Sequence, residues 1–207
     1  MQTETNRLDR TDENTEEIVD SRHRILAVAE ALYMKHGYRA VSLRDIANAL
    51  SIKQASLYYH FPDGKEQLFE AVVEHAFHHH KIGIEQAIAA CEGDLRQQFL
   101  ALIHWFASQA PMNLVSMIHT DMPALQPERM KELEKSAHSA LFLPIMMMFV
   151  KAMQRGEIRQ INPAVMAGLM LSIISGLRYG STQVPEAQRP AMYEELVDIF
   201  MQGLYPR

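Results

Sequence analysis

From Ile18 onward, apolar residues return every three or four positions, at Ile25, Val28, Ala29, Leu32 and Tyr33, which is the stripe of an amphipathic helix. Lys35 and His36 followed by Gly37 give that helix a basic last turn and a left-handed stop. Ser42 and Asp45 have the spacing of a reciprocal cap, opening a short second helix with Leu43, Ile46, Ala47 and Leu50 inward. Ser51 and Ile52 form a turn, and Lys53 to His60 reads as a third helix closed by Phe61-Pro62. Asp63 and Glu66 offer a second reciprocal cap, from which a long helix runs to about Lys81, before Gly83.

Further helices are expected over 84–91, 95–109, 112–121, 127–155, 163–180 and 187–204, separated by glycines and prolines. Pro144 falls inside the fourth of these, where its missing N–H kinks the helix or divides it. No stretch alternates as a half-buried strand does, and no repeat of fixed period is present. The expected fold class is all-α. Residues 1–17 are polar, without aromatics or periodicity, and read as a disordered tail. The expected organisation is this tail, a helix-turn-helix DNA-binding domain over 18–65, and a larger helical domain over 66–207.

Charge sharpens the division. Residues 1–20 carry seven acids against Arg7 and Arg10, a net −5; residues 21–65 carry seven bases against Glu30, Asp45 and Asp63, a net +4; the remainder is −4. A basic module on an acidic body points to a polyanionic partner for the module alone. The single cysteine, Cys91, forms no internal bridge and fits a reducing compartment, the cytoplasm. No basic-then-apolar leader opens the chain, and the uncharged stretch Ile161 to Leu177 is short of the roughly 20 residues a bilayer span needs, so no membrane is expected. There is no nucleophile–base pair, phosphate-binding glycine loop or full metal-ligand set, so neither an enzyme nor a cofactor is expected.

Two short helices at a tight turn, braced by a longer one, are the geometry that places a helix in the DNA major groove. The stretch RHRILAVAEALYMKHGYRAVSLRDIANALSIKQASLYYHFPDGKEQLF, residues 22–69, resembles the N-terminal domain of the tetracycline-repressor (TetR) family: the Ile25/Ala29/Tyr33 face, Gly37, Ser42, Asp45-Ile46-Ala47, Leu57-Tyr58, Phe61 and Lys65 stand in its pattern. The turn glycine common in that family is Ser51 here. With Leu57 and Phe61 inward, Lys53, Gln54, Ser56, Tyr58, Tyr59 and His60 occupy the more exposed faces. Glutamine can bond adenine bidentately, serine a base edge or phosphate, and tyrosine offers a hydroxyl and a ring for a thymine methyl. Arg44 and Lys65, near helix starts, read as phosphate contacts, and Ser42 is counted with the DNA-binding residues.

The resemblance implies that the larger domain binds an effector and dimerises through its last two helices. Twelve of the fourteen methionines lie beyond residue 110, and a Met-lined cavity adapts to varied apolar ligands, although any one Met is more often plain core. The candidate pocket residues are Trp105, Met117, Met122, Phe142, Met146 and Phe149, with His80, His104 and His119 as polar handles. Within His75 to His80, the pair His75 and His79 has helical metal-chelating spacing, and a metal-responsive regulator is the alternative to a small-molecule one; a solvated face explains most of that pattern. For the dimer, the small residues Gly168, Ser172, Ser175 and Gly176 permit close helix approach beside Tyr193, Leu196 and Phe200 of the last helix. The whole reads as a repressor released from a palindromic operator by a small apolar or aromatic effector; a helical DNA-binding protein without an effector is the remaining alternative.

Overall fold

The computed structural model describes residues 21–109, 121–122, 125–181 and 183–205, which are helical with no strand among them. The chain divides into two compact units, Met1–Glu74 and His75–Arg207. The division falls nine residues beyond the expected boundary at 65/66, inside a helix. The tail, the helix expected over 112–121, and the candidates Met117 and His119 lie outside the described residues.

In the first unit, α1 covers residues 21–36 and ends as expected at Gly37, whose φ of 81° closes the turn while its N–H donates to Tyr33 O at 2.8 Å. α2 (Leu43–Leu50) and α3 (Gln54–His60) follow, and the first part of α4 (Lys65–Ala90) completes the unit. Ile25, Leu26 and Ala29 of α1, Ile46 and Ala47 of α2, Leu57 of α3 and Leu68, Phe69, Val72 and Val73 of α4 are all buried; Leu50 is only half-buried. Tyr38 and Tyr33 pack on Phe69 with centroids 4.3 and 5.4 Å away. Three helices too short to stand alone are thus held by one shared apolar centre.

α4 does not end before Gly83, and residues 84–90 are its continuation rather than a separate helix. Glycine lowers helix propensity, but here it is needed for packing: a Cβ at Gly83 would overlap Cζ2 and Cε2 of Trp105. At the other end of α4, Gln67 rather than the expected Glu66 reaches back, its Oε1 accepting the Asp63 N–H at 3.0 Å.

The second unit continues with α5 (Leu95–Ser108), capped by Asp94 accepting from the Gln97 N–H. α6 (Pro127–Ala137) passes through a π-helical turn (His138–Phe142) into α7 (Leu143–Gln154). Pro144 therefore neither breaks the run nor ends it: the wider turn, in which Leu143 N–H donates to His138 O, absorbs the proline at the start of α7. By length and composition the run Pro127–Gln154 could cross a bilayer; Leu133, Leu141, Ile145, Met148 and Phe149 instead turn into the interior of the unit. α8 (Pro163–Ser181) packs along α7, and α9 (Arg189–Gln202), entered through a 3₁₀ turn (Glu186–Gln188), packs along α5. Arg96 of α5 ties that contact, reaching Glu194 at 2.6 Å and Asp198 at 2.8 Å.

Candidate nucleic-acid interface

Ser42 and Asp45 make the expected box at the start of α2. Ser42 N–H donates to Asp45 Oδ2 at 2.8 Å, Ser42 Oγ to the same oxygen at 2.6 Å, and Asp45 N–H to Ser42 Oγ at 3.2 Å. The hydrogen bond from the Ser42 side chain, followed by that from its backbone, holds the Asp45 carboxyl below the usual carboxylate range. α2 ends at Ser51, where Ser51 N–H donates to Asn48 O and Ile52 N–H to Ala47 O, both at 3.0 Å. That bond pair is a Schellman stop. Ser51 carries it at φ 56° and ψ 38°, the one positive-φ non-glycine residue among those described. A serine therefore takes the left-handed turn between α2 and α3 that glycine fills in the resembled family.

The turn sets α3 so that Leu57 is fully buried and the rest of the helix is not. Lys53, Gln54, Ser56, Tyr58 and Tyr59 are all exposed, Tyr59 at 70% and Tyr58 at 47%. Two large aromatic rings left in water on a seven-residue helix are not explained by packing. His60 is half-buried, its ring edge-on to Tyr59 at 5.2 Å. Burial, with the nearby Arg22 charge second, pushes its pKa below the ordinary histidine value, so near neutral pH it acts as a hydrogen-bonding group rather than a cation. Arg22 itself lies 5.3 Å from the Phe61 ring, at the end of α3.

Ser42 and the phosphate candidate Arg44 are exposed at the start of α2. Lys65 is half-buried: its Nζ sits 4.3 Å from the Tyr38 ring centre and donates to Arg39 O at 3.4 Å. Arg39 is exposed beside it and was not singled out by sequence, since a lone arginine in a loop carries no periodic signal.

The effector candidates are scattered through the second unit. Trp105, His80 and Phe106 gather with His79: His80 stacks on Phe106 at 5.4 Å, and Trp105 lies 5.3 Å from His79 and 6.5 Å from His80. His80 is 4% exposed, and the buried Trp105 Nε1 has no acceptor among the described residues. Phe142 stacks on His138 and lies near Gly168, Met146 is half-buried, and Met122 and Phe149 are fully buried. His104 is exposed, edge-on to Tyr193 at 5.5 Å. His79 Nε2 lies 2.8 Å from Gln109 Oε1, and no group of three metal-ligating side chains assembles among the described residues.

The dimer candidates divide. Ser172 and Gly176 are exposed on α8, with Gly168 and Ser175 half-buried; Ser172 Oγ donates to Gly168 O and Ser175 Oγ to Leu171 O. On α9, Tyr193 is buried within its own chain, Leu196 is half-buried, and Phe200 packs on Phe99 at 4.8 Å and Phe149 at 6.3 Å. Among the described residues, the large apolar side chains these two helices leave in water are Val165, Leu169 and Ile199. Val165 and Ile199 escaped the sequence reading, because a strongly apolar helix does not reveal which of its faces is the buried one.

Fold and interface together define a helix-turn-helix domain with an exposed, polar and aromatic second helix. The profile of the bacterial regulatory proteins of the tetR family matches residues 25–72, and the N-terminal unit of the chain belongs to that family. Over 73 residues the chain is 45% identical to the HTH-type transcriptional regulator LmrA of Bacillus subtilis (35% of this chain, 36% of that protein). Over 56 residues it is 39% identical to the biofilm operon negative transcriptional regulator IcaR of Staphylococcus epidermidis (27% and 30%). These matches span about a third of the curated relatives' length. Across most of the chain the likeness is one of fold: AibR, solved with isovaleryl coenzyme A and operator DNA, superposes with a TM-score of 0.62 at 21% identity, covering 74% of this chain and 83% of that one.

Proposed function

We propose that the protein is a transcriptional repressor that binds an inverted-repeat operator as a homodimer and leaves it when a small molecule occupies the second unit. The observation that carries the DNA-binding part is the face of α3: Gln54, Ser56, Tyr58 and Tyr59 are exposed on a helix anchored by one fully buried residue, Leu57. Gln54 is the base reader, Ser56 and the two tyrosines supplement it, and Ser42, Arg44, Lys53 and Lys65 fix the register through phosphates. Repression follows the negative regulator IcaR among the relatives, and the cytoplasm follows from a DNA target. Selection of bound duplexes from a random pool tests this reading. Gln54→Ala should relax the choice at one base pair per half-site, by about 1–3 kcal/mol. An unchanged preference at every position would remove Gln54 from readout.

The effector is an apolar or aromatic molecule held near Trp105, Met146 and Phe149, with a hydrogen-bond acceptor that meets the Trp105 Nε1. The buried donor without an acceptor supports that chemistry, and AibR supplies a precedent for a ligand-bound relative in fold. A ligand weakens operator binding only through its preference for the other conformation; a tenfold loss needs about 1.4 kcal/mol of coupling. The chain passes from one unit to the other within α4, which carries Lys65 in its first turn and His80 further along. His80→Ala should therefore shift the effector concentration for operator release while leaving effector-free DNA affinity intact.

A further inference from the structure

We infer that Tyr38 is a positioning residue for phosphate contact: its ring holds the Lys65 ammonium in place, and Lys65 in turn fixes the main chain at Arg39, so that Lys65 and Arg39 grip the DNA backbone as a pair. The inference deepens the DNA-binding reading above and rests on it. Its ground is a three-residue contact inside the first unit. Lys65 Nζ lies 4.3 Å from the Tyr38 ring centre and donates to Arg39 O at 3.4 Å, joining residues 26 positions apart in sequence.

The ring is a fixed platform. Tyr38 is 7% exposed and packs on Phe69 with centroids 4.3 Å apart and on Tyr33 at 5.8 Å. Phe69 is fully buried and stands one turn beyond Lys65 on α4, so the helix that carries the lysine also anchors the ring beneath it. A flexible lysine gives up rotamer freedom on meeting a phosphate; one already seated on a ring and a carbonyl gives up less, and the difference appears as affinity.

Position argues for an anion at this point rather than for stability alone. Lys65 is the first residue of α4, the end at which the helix dipole disfavours a cation. A cation fixed there adds little to the fold, yet it reinforces the attraction of a helix start for phosphate. Arg39 is exposed, and a guanidinium bonds phosphate bidentately. With its main chain tied to Lys65, the two cations belong to one edge of the unit, a pairing that no spacing along the chain encodes.

The test uses the full chain, with a random-sequence duplex titrated by fluorescence anisotropy across a salt series. Tyr38→Phe keeps the ring; trifluorophenylalanine at position 38 keeps nearly the same shape but withdraws charge from the face that attracts the ammonium. At about 50 mM salt the fluorinated ring should give about threefold weaker binding than the phenyl ring while Lys65 is present, and equal binding once Lys65→Met is added. A ring needed only for packing would weaken both backgrounds alike. Arg39→Gln alters an exposed side chain and so reads the pair without disturbing the core. It should lower the slope of log affinity against log salt by about one, and its loss of affinity should shrink when Lys65→Met is also present. Equal or tighter binding with the fluorinated ring, the same loss with and without Lys65, or an unchanged slope for Arg39→Gln overturns the inference while leaving DNA binding intact. No binding by the parent sinks the DNA-binding reading itself.

Discussion

Trp105 lies against the main chain of α4 at Gly83, in a space that any β-carbon would fill. A residue that reads in sequence as a helix stop is thus the seat of the chain's single tryptophan. Gly83→Ala should displace the indole and lower stability by about 1–3 kcal/mol, the usual cost of overpacking. Denaturant titration would show the loss, and the emission of Trp105 should move to the red in the native baseline. A variant with parental emission and midpoint would mean that α4 and α5 separate freely at this contact.

Ser51 predicts the opposite sign. At φ 56° a serine pays for its Cβ, and glycine would not. Ser51→Gly should stabilise the protein by about 1 kcal/mol without altering the bonds at the end of α2. The measurement is again a denaturation midpoint; a lower one would show that the serine side chain contributes more than its conformation costs.

Tyr59 and Leu57 should separate the proposed DNA reading from folding on one helix, the first exposed and the second fully buried. Tyr59→Ala should leave stability within about 0.5 kcal/mol, as for other surface changes, and weaken operator binding. Leu57→Ala should cost about 2–5 kcal/mol by opening a cavity under α3. Loss of fold in the tyrosine variant would make that ring structural after all.

Ile199 and Phe200 make the same separation for the proposed dimer. Ile199 is 66% exposed, so Ile199→Glu should yield folded monomers in sedimentation and abolish cooperative operator binding. Phe200→Ala removes a ring that packs on Phe99 and Phe149 and should lower stability by about 2 kcal/mol. An unchanged dimer in the Ile199 variant would move the interface off that face of α9.

Asp45 sets an acid limit on α2. Its folded pKa lies below the unfolded carboxylate value of about 3.9, so the box contributes fully above that value and is lost as pH falls through the lowered one. Melting temperatures followed from about pH 5 downward should fall more steeply for the parent than for Asp45→Asn, which lacks the titrating group. Parallel curves would show that Ser42 alone caps the helix.

The first unit was legible in the chain because its signals are local. Capping by Ser42 and Asp45, the stop at Gly37 and the outward turn of Gln54, Tyr58 and Tyr59 each depend on residues within a few positions of one another, and spacing encodes them. The sequence by itself also determined the all-α class, the basic module and its acidic forerunner, since periodicity and charge are additive along a chain. Tertiary structure decided the rest. Whether Gly83 ends a helix depends on Trp105, 22 positions away. Whether Pro144 breaks one depends on how far the turn before it widens, and whether Phe200 or Ile199 faces outward depends on where Phe99 and Phe149 lie. In each case the local preference is worth about 1 kcal/mol or less for the glycine and about 3 for the proline, while burial of one large side chain contributes as much again. A contact across the fold can therefore reverse the local signal, and no window of sequence contains both of its partners.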